Sequence, residues 1–176
     1  MTTSHNMTTL HNVLTIEPMA PDDWGAVCRI YADGIATGNA TFETEPPGWK
    51  AWDSGHLSEC RLVARLDHRV IAWAALAPVS TRACYAGVAE HSIYVDESHR
   101  GQGIGKTLLQ ELVRQAERSG FWTLQSSILP ENEASIAIHL SCGFRVLGRR
   151  KAVARLHGIW RDAVLVERRS RVAGVE

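Results

Sequence analysis

The order of predicted strands and helices places this chain in the mixed α/β (α+β) class, as one domain built on a central sheet. Three observations predict that class. The length of 176 residues suits one domain with a core of its own. Hydrophobic residues make up 45% and charged residues 22%, which is ordinary for a folded protein. Strand-like and helix-like segments follow one another without a repeat, a low-complexity tract or a linker.

The N-terminal part predicts one strand and two helices. Residues 13–17 alternate as a short strand. Residues 21–38 predict a helix, because apolar side chains recur at helical spacing between an acidic first turn and a Gly-Asn stop. Residues 40–45 are β-prone and run into a Pro-Pro-Gly break at 46–48. A short helix with two tryptophans is predicted over residues 49–57.

The middle of the chain predicts three strands. Residues 61–66 and 70–77 read as strands, and the turn Asp67-His68 between them predicts a hairpin. Residues 88–95 form the third strand, whose side chains alternate between two faces. One face carries Val88, Glu90, Ser92 and Tyr94, and the other carries Ala89, His91, Ile93 and Val95.

The C-terminal part predicts two helices and three strands. Residues 103–119 are the clearest helix, because apolar side chains recur at steps of three and four. A strand is predicted over 122–128 and a helix over 133–142. Residues 144–155 and 159–168 predict a final pair of strands joined by a His-Gly turn.

Composition and charge exclude several classes of function. The 19 basic and 19 acidic side chains cancel, whereas a nucleic-acid-binding protein is normally basic. No apolar run approaches the roughly 18 residues of a membrane span, so no membrane partner is expected. The polar residues 1–12 predict a flexible tail and no signal peptide. The four cysteines form no CxxC pair and the histidines no HExxH spacing, so we expect reduced thiols, a cytoplasmic location and no metal.

The overall neutrality hides an asymmetry between the two parts of the chain. Residues 1–60 carry two basic and eight acidic side chains (net −6), and residues 61–176 carry 17 basic and 11 acidic ones (net +6). Two interpretations are open at this point. Either the two parts pack together and neutralise one another, or the second part holds an anionic ligand such as a phosphorylated cofactor.

Three alternate glycines between a predicted strand and the clearest helix are the most informative motif. Glycine lets backbone approach a ligand closely, and the free N–H groups of a helix N-terminus favour phosphate oxygens. A P-loop would need glycine at Arg100, and a dinucleotide fingerprint starting at Gly101 would need glycine at Lys106. The third pattern, [RQ]xxGx[GA], is matched completely by Arg100, Gly103 and Gly105. A tight turn that merely uses glycine is the alternative.

With this loop the chain resembles the GNAT acyltransferase superfamily, and within it the phosphinothricin and methionine sulfoximine N-acetyltransferase group. The resemblance runs from about Val13 to Arg168. Its further pieces are residues 39–44, 73–80, 85–95 and 130–136, together with His139 and Cys142-Gly143-Phe144. It implies a single domain over residues 13–170, with tails at 1–12 and 171–176. The implied sheet is mostly antiparallel and twisted, flanked by helices and splayed at the cofactor site, and the implied assembly is a homodimer.

The resemblance implies that acetyl-CoA is the acetyl donor and that its pantetheine arm lies along the strand before the glycine loop. The loop amides would hold the pyrophosphate, and a backbone amide of the strand would face the thioester oxygen. The implied cofactor-binding residues are Ile93, Tyr94, Val95, Arg100, Gly101, Gln102, Gly103, Ile104, Gly105, Lys106, Asn132, Ser135 and Ser141.

Two residues are candidates for acid–base catalysis. Glu90 stands in a largely apolar strand, where it is able to accept a proton from the substrate amine, and the resemblance places the family's general base there. An ordinary exposed or paired carboxylate is the alternative. His139 occupies the position where many superfamily members have the tyrosine that protonates the departing thiolate. It is therefore a candidate acid, with a positioning role or a structural role as equal alternatives.

A small amino acid would present a carboxylate to the protein. Arg82, in the loop before the Glu90 strand, is the candidate partner, because arginine pairs carboxylates bidentately. Phe42, Glu43 and Tyr85 are candidates for the walls of the pocket. The alternatives are a surface position for Arg82 and simple core packing for Phe42.

The sequence therefore predicts an N-acetyltransferase that acts on the α-amine of a small amino-acid-like molecule, of the phosphinothricin, methionine sulfoximine or methionine sulfone type. A second hypothesis takes another amine, such as a polyamine, another amino acid or a protein N-terminus. A third is a CoA-binding sensor without turnover, which the presence of both Glu90 and His139 disfavours, since a binder needs neither.

Overall fold

A computed structural model describes residues 13–175 as seven strands and four helices. The predicted tail at residues 1–12 lies outside the described residues. The strands are β1 (Leu14–Pro18), β2 (Leu62–Leu66), β3 (Arg69–Pro78), β4 (Val88–Val95), β5 (Thr123–Ile128), β6 (Arg145–Leu156) and β7 (Ile159–Arg169). The helices are α1 (Trp24–Ala36), α2 (Trp49–Gly55), α3 (Ile104–Arg118) and α4 (Glu133–Ser141). None of these helices is long and apolar enough to cross a membrane.

One sheet joins all seven strands in the order β1-β2-β3-β4-β5-β7-β6. Every neighbouring pair is antiparallel except β4 and β5, which are parallel. The predicted mixed α/β class with a mostly antiparallel central sheet is confirmed.

The β-prone residues 40–45 do not form a strand. The Thr37 hydroxyl accepts the N–H of Asn39, and the Thr41 hydroxyl accepts the N–H of Glu43. Such local bonds compete with strand pairing.

The helices cover both faces of the sheet and divide the core in two. On one face α1 and α2 bury Val27, Ile30 and Trp52 against Trp73 and Val63 of the sheet. On the other face α3 buries its apolar stripe against Ala72, Ala74 and Leu76 of β3 and against β2; the stripe consists of Ile104, Leu108, Leu109, Leu112, Val113 and Ala116. Because strand side chains alternate, β4 contributes to both halves of the core at once.

Ion pairs join the acidic first part of the chain to the basic second part. Arg65 of β2 bonds to the carboxylates of Glu17 and Asp23, and the latter contact is 2.7 Å. Arg61 lies 2.5 Å from Asp53. These contacts support the interpretation that the two parts pack together and neutralise one another.

The sheet opens between β4 and β5. The two strands pair over only three residues, Val88–Glu90 with Thr123–Gln125, whereas β3 pairs with β4 along its whole length. Beyond Glu90, residues 91–95 of β4 and residues 126–128 of β5 run apart, and the space between them is called the β4–β5 cleft below. The backbone of β4 thus has an edge in this cleft that no strand occupies.

Residues 170–175 fold back onto the sheet. The Ser170 hydroxyl accepts the N–H of Val172 and Ala173, Arg169 donates to the carbonyls of Ala173 and Gly174, and Ala173 is buried. The segment predicted as a C-terminal tail is therefore packed against the domain.

The short parallel pairing rests on a close contact at its base. The carbonyl of Gly87 accepts the N–H of Trp122 at 2.8 Å, and a Cβ added at Gly87 would lie 2.1 Å from the Trp122 ring. We expect Gly87→Ala to cost about 1–3 kcal/mol in the free energy of unfolding, because an indole tethered at its own backbone has little room to move. Urea unfolding measures the difference.

Gly25→Ala is the matched control. A Cβ there meets nothing within 4 Å, and the residue lies inside α1, so the change is expected to stabilise the protein by about 0.5–1 kcal/mol. A Gly87→Ala variant as stable as the wild type would contradict the proposed tight contact.

Candidate functional site

Glu90 is the last residue of β4 before the cleft opens. Its side chain is half-buried on the face of the sheet that α1 and α2 cover, the face it shares with Tyr94. The amide of Gln125, its pairing partner on β5, lies 3.5 Å from the carboxylate. A carboxylate held at the mouth of a cleft by one weak contact keeps oxygen lone pairs free to accept a proton.

An aromatic and hydroxyl cluster lies along the same face of β4. The Tyr94 ring stacks on Trp73 at 4.9 Å between centroids and meets Tyr31 of α1 at 4.8 Å. Burial, followed by the nearby Tyr31, raises the pKa of the Tyr94 hydroxyl, and burial also raises the pKa of Tyr31. The Thr41 side chain and the Glu43 carboxylate lie near both hydroxyls. Both phenols therefore stay protonated and able to donate.

This cluster brings the predicted Phe42–Glu43 segment to the Glu90 face. The segment belongs to the loop between α1 and α2, with Phe42 half-buried and Glu43 exposed. Arg161 of β7 holds the start of that loop by bonds to the Gly38 carbonyl and the Asn39 side chain. Tyr94, predicted to contact the cofactor, has its side chain in the aromatic cluster, and its backbone pairs with Trp73 of β3, so the neighbouring residues Ile93 and Val95 turn their backbone groups toward the cleft.

Arg82 and Tyr85 lie together just before β4. Arg82 flanks a short 3-10 turn, Ala83–Tyr85, and its guanidinium lies 5.5 Å from the Tyr85 ring centroid. Both residues are exposed. The guanidinium is free to take a carboxylate, and the aromatic ring supports it from one side.

The glycine loop leads from the end of β4 into the N-terminus of α3. Gly101 and Gly103 have positive φ angles of 74° and 80°, and Gly103 is the N-cap residue of α3 with no side-chain cap. The first N–H groups of the helix therefore point toward the exposed loop, where an anion is able to bind them. Arg100 donates to the Val95 carbonyl at 3.2 Å, and Gln102 donates to the Ser98 carbonyl at 3.2 Å.

The residues that follow Gly103 differ in their burial. Ile104 and Gly105 are buried, whereas Lys106 is exposed. A Cβ at Gly105 would lie 3.4 Å from both Ile138 and Val95, so this glycine lets α3 approach α4 and β4. The third glycine of the motif thus has a packing role that the sequence pattern did not separate from ligand binding.

Asp96, which the sequence analysis passed over, anchors the start of the loop. Its buried carboxylate accepts the Ser98 hydroxyl at 2.5 Å and the Ser98 N–H at 3.1 Å, and it pairs with Arg29 of α1 at 2.8 Å. The Ser98 hydroxyl, together with Arg29 and His99, holds the pKa of Asp96 well below its usual value. An acidic residue directly after a strand and two before a serine was the signal in the sequence.

Helix α4 carries the remaining predicted residues. The Asn132 side chain caps the helix by accepting the N–H of Ser135 at 3.2 Å. The Ser141 hydroxyl donates to the Ile138 carbonyl of its own helix at 2.8 Å and is exposed. The capping bond fixes where α4 begins beside the cleft.

His139 lies on the opposite face of the sheet from Glu90. Its side chain is 1% exposed, and both ring nitrogens are engaged: Nδ1 lies 2.7 Å from the Ser135 carbonyl oxygen, and Nε2 lies 2.8 Å from Nε2 of His91. Burial lowers its pKa. Of the roles left open by the sequence, this setting favours positioning, because a general acid needs a ring N–H that faces the reactants. The alternation along β4 had placed His91 on this inner face without marking its partner.

No metal centre is evident in the part of the chain from residue 13 to residue 175, where no three His, Cys, Asp or Glu side chains are grouped to hold an ion. The arrangement instead offers a protein carboxylate, neutral hydroxyls, an open strand edge and a helix N-terminus. Together these groups suit the binding of a phosphorylated, amide-containing chain next to a proton acceptor.

Comparisons with known proteins agree with this arrangement. The sequence model of the acetyltransferase (GNAT) family matches residues 24–144. The chain is 32% identical over 164 residues to the phosphinothricin N-acetyltransferase of Alcaligenes faecalis, which covers 88% of this chain and 81% of that protein. It is 35% identical over 83 residues to an L-methionine sulfoximine/L-methionine sulfone acetyltransferase of Pseudomonas paraeruginosa, covering 47% of this chain and 48% of that protein. The crystal structure of a phosphinothricin acetyltransferase from Sinorhizobium meliloti in complex with AcCoA superposes with a TM-score of 0.81, at 29% identity, over 92% of this chain and 90% of that one.

The anchoring role of Asp96 predicts an acid-dependent loss of stability. Because the folded-state pKa lies below the ordinary value of 3.8, the charged carboxylate stabilises the fold above that value, and this contribution is lost as the pH falls toward the folded-state pKa. We expect Asp96→Asn to cost about 1–3 kcal/mol in the free energy of unfolding at pH 7. At pH 3 the difference from the wild type should be smaller, as measured by urea unfolding.

Glu97→Gln serves as the control, because Glu97 is the adjacent carboxylate and is exposed. Its effect should stay within about 0.5 kcal/mol at both pH values. An Asp96→Asn variant with wild-type stability at pH 7 would overturn the anchoring role.

Proposed function

This chain belongs to the acetyltransferase (GNAT) family and is an acetyl-CoA-dependent N-acetyltransferase, and from this premise we propose that it acetylates the α-amine of a small amino-acid-like molecule. The substrate class is that of phosphinothricin, methionine sulfoximine or methionine sulfone, and the reaction is a direct attack within a ternary complex. The observation that carries the proposal is the open edge of β4, which begins at Glu90 and ends at the glycine loop.

The chain has groups that fit both ends of acetyl-CoA. Because Tyr94 is bonded to Trp73 of β3, the backbone groups of Ile93 and the N–H of Val95 point to the open side of β4, where they are able to bond to the amides of a pantetheine arm, as an added strand would. The uncapped N-terminus of α3, with Gly101 and Gly103 in front of it, offers N–H groups to a pyrophosphate. Lys106 and Arg100, both exposed at this loop, supply positive charge. Bound there, the co-substrate supplies the acetyl thioester.

Glu90 takes the role of general base in this proposal. The substrate ammonium gives one proton to the Glu90 carboxylate, directly or through a water, and the freed amine nitrogen is then a nucleophile. It forms the new N–C bond to the acetyl carbonyl carbon as the C–S bond breaks. The nitrogen loses a second proton as the amide forms, and that proton passes to the departing CoA thiolate, directly or through water. A strand N–H at the open edge of β4 donates to the carbonyl oxygen as negative charge develops on it.

The amine pocket is assigned to the α1/α2 face of the sheet beside Glu90. The Tyr31 and Tyr94 hydroxyls and the Phe42–Glu43 segment form its wall near α1, and Arg82 with Tyr85 supplies the group that pairs the substrate carboxylate. The named activities of the relatives in Alcaligenes and Pseudomonas support an amino-acid-like substrate.

A homodimer and a cytoplasmic location complete the proposal. Large apolar side chains remain exposed on the β6–β7 pair, where Val146, Leu147, Ile159 and Trp160 are each more than 40% exposed, which is consistent with a second copy covering this region. The polyamine, protein N-terminus and CoA-sensor alternatives are separated from the main proposal by the experiment below.

The proposal is tested by measuring thiol release from acetyl-CoA against a panel of amines. The panel contains phosphinothricin, methionine sulfoximine, methionine sulfone, free amino acids, spermidine and a peptide with a free N-terminus. Release with the first three compounds at low concentration supports the proposed substrate class. Release with spermidine or the peptide alone overturns that class, and binding of acetyl-CoA without release from any amine favours the sensor.

Glu90→Gln should lose roughly 10²–10⁴-fold in kcat with the best amine and keep its affinity for acetyl-CoA, because general base catalysis is typically worth that factor. The residual rate should rise with pH, since the fraction of free amine then limits it. Steady-state kinetics and calorimetric titration with CoA measure the two effects. Glu59→Gln, an exposed carboxylate elsewhere, is the control; wild-type turnover of Glu90→Gln at neutral pH removes Glu90 from this role.

Gly103→Ala should weaken CoA binding by roughly tenfold, because an L side chain at positive φ forces the loop backbone to shift. Gly120→Ala is a matched control at the opposite end of α3. Its φ is +88°, against +80° at Gly103, and a Cβ meets nothing within 4 Å at either position. Both variants should lose about 1–2 kcal/mol of stability, and only Gly103→Ala should lose affinity. Equal affinities for the two variants would contradict the assignment of the loop.

A further inference from the structure

Two histidines meet inside the core beneath the β4–β5 cleft. His91 of β4 and His139 of α4 are 2% and 1% exposed, and their Nε2 atoms are 2.8 Å apart. The ring planes are inclined by 30°, with centroids 5.0 Å apart, and the Phe144 ring centroid lies 5.1 Å from that of each histidine. The proposed chemistry uses neither ring nitrogen of His91, so this contact needs an explanation of its own.

The hydrogen bonds assign one proton to each ring. The Ser135 carbonyl oxygen only accepts, so the His139 Nδ1 atom, 2.7 Å away, carries a hydrogen. In a neutral ring the His139 Nε2 atom is then an acceptor, and the bridging proton belongs to His91 Nε2. The opposite tautomer of His91 would place two nitrogen lone pairs against each other at 2.8 Å.

Both rings stay neutral. Burial, with the adjacent His139 as the second cause, lowers the pKa of His91 to about 3, and burial lowers the pKa of His139. The remaining nitrogen, His91 Nδ1, is buried beside the Gln125 backbone, which partly opposes the lowering of the His91 pKa, but it makes no hydrogen bond of regular geometry with residues 13–175. The bridge is thus a single neutral N–H···N bond with a defined direction, from β4 to α4.

The hydrogen bond between His91 and His139 connects β4 to α4 at the point where β4 separates from β5. His91 is the first residue of β4 after the last paired residue, Glu90, so it lies where the ladder to β5 stops. From that point β4 is tied on one edge to β3, and the His91–His139 bond ties it to α4. Helix α4 in turn begins at the Asn132 cap, shortly after β5 ends at Ile128.

We propose that His91 and His139 are a positioning pair for acetyl transfer, whose one directed hydrogen bond sets the distance between the unpaired part of β4 and helix α4. The pair thereby sets the width of the cleft that takes the acyl-pantetheine arm and the orientation of Glu90, one residue away on β4. This inference rests on the proposed function. It assigns His139 no proton transfer, because the lone pair on its Nε2 atom accepts the hydrogen bond from His91.

Substitutions that keep or remove the directed bond test the pair. His91→Gln retains a donor at the right reach and should keep kcat within about threefold of the wild type. His91→Leu leaves His139 Nε2 without a donor and should lower kcat by roughly 10–100-fold, since small displacements of reacting groups cost such factors. The double variant His91→Leu/His139→Leu has no unsatisfied nitrogen, so its urea midpoint should recover toward the wild type while its kcat stays low.

The comparison of urea midpoint and kcat in the double variant distinguishes a positioning role of the pair from a purely structural one. A double variant that regains both its urea midpoint and its kcat would overturn the proposal, because the pair would then serve the fold alone. A wild-type kcat in His91→Leu would overturn it as well. If His139 were a general acid, His139→Gln would abolish the high-pH limb of the kcat/KM profile; in our proposal that limb persists.

Nitrogen-15 NMR tests the tautomers without any turnover. We expect His139 to carry its proton on Nδ1 and His91 on Nε2, with both rings uncharged at neutral pH and above. An imidazolium under those conditions, or a proton on Nε2 of His139, would overturn the inference. Because this measurement needs no substrate, it distinguishes failure of the pair from failure of the proposed function, which the amine panel tests.

Discussion

The separation of β4 from β5 after the Glu90–Gln125 pair is the constraint on which the rest of the structure depends. A parallel pair normally continues along its strands, and here it stops after three residues while β3 holds β4 along its whole length. The contact between Gly87 and Trp122 closes the base of this pair, so the opening starts at a defined residue. Backbone groups in a sheet require partners, and the free edge of β4 therefore presents donors and acceptors to a ligand with amide groups of its own.

The two faces of β4 carry different groups of the site. On the α1/α2 face, Glu90 and Tyr94 lie on the same side of the strand, and the Tyr94 ring packs against Tyr31. On the other face, His91 reaches α4 and bonds to His139. A strand with period two places these groups back to back without crowding, because neighbouring side chains point in opposite directions. The proposed base, Glu90, and His91 of the proposed positioning pair are thus adjacent in the chain and lie on opposite faces of the sheet.

Buried polar groups in this protein are kept neutral or are fully bonded. The two histidines and the two tyrosines have pKa values moved away from neutrality by burial, so they act as fixed donors and acceptors. Asp96 is the buried anion at the loop, and its partners compensate the cost of removing charge from water. Three acidic side chains of the first part of the chain, Glu17, Asp23 and Asp53, form ion pairs with arginines of the second part.

The sequence by itself determined the class, nearly every element and the glycine loop, because apolar periodicity and turn residues are local properties. It also singled out Glu90, since a carboxylate in an apolar strand is visible in one dimension. Only the tertiary structure decided that residues 40–45 form a loop, that Gly105 serves helix packing and that residues 170–175 are docked. It alone decided the setting of His139, because the partner that engages its Nε2 atom is 48 residues away in the chain. Contacts of that kind depend on which strands pair and where their pairing stops, and no local pattern encodes this.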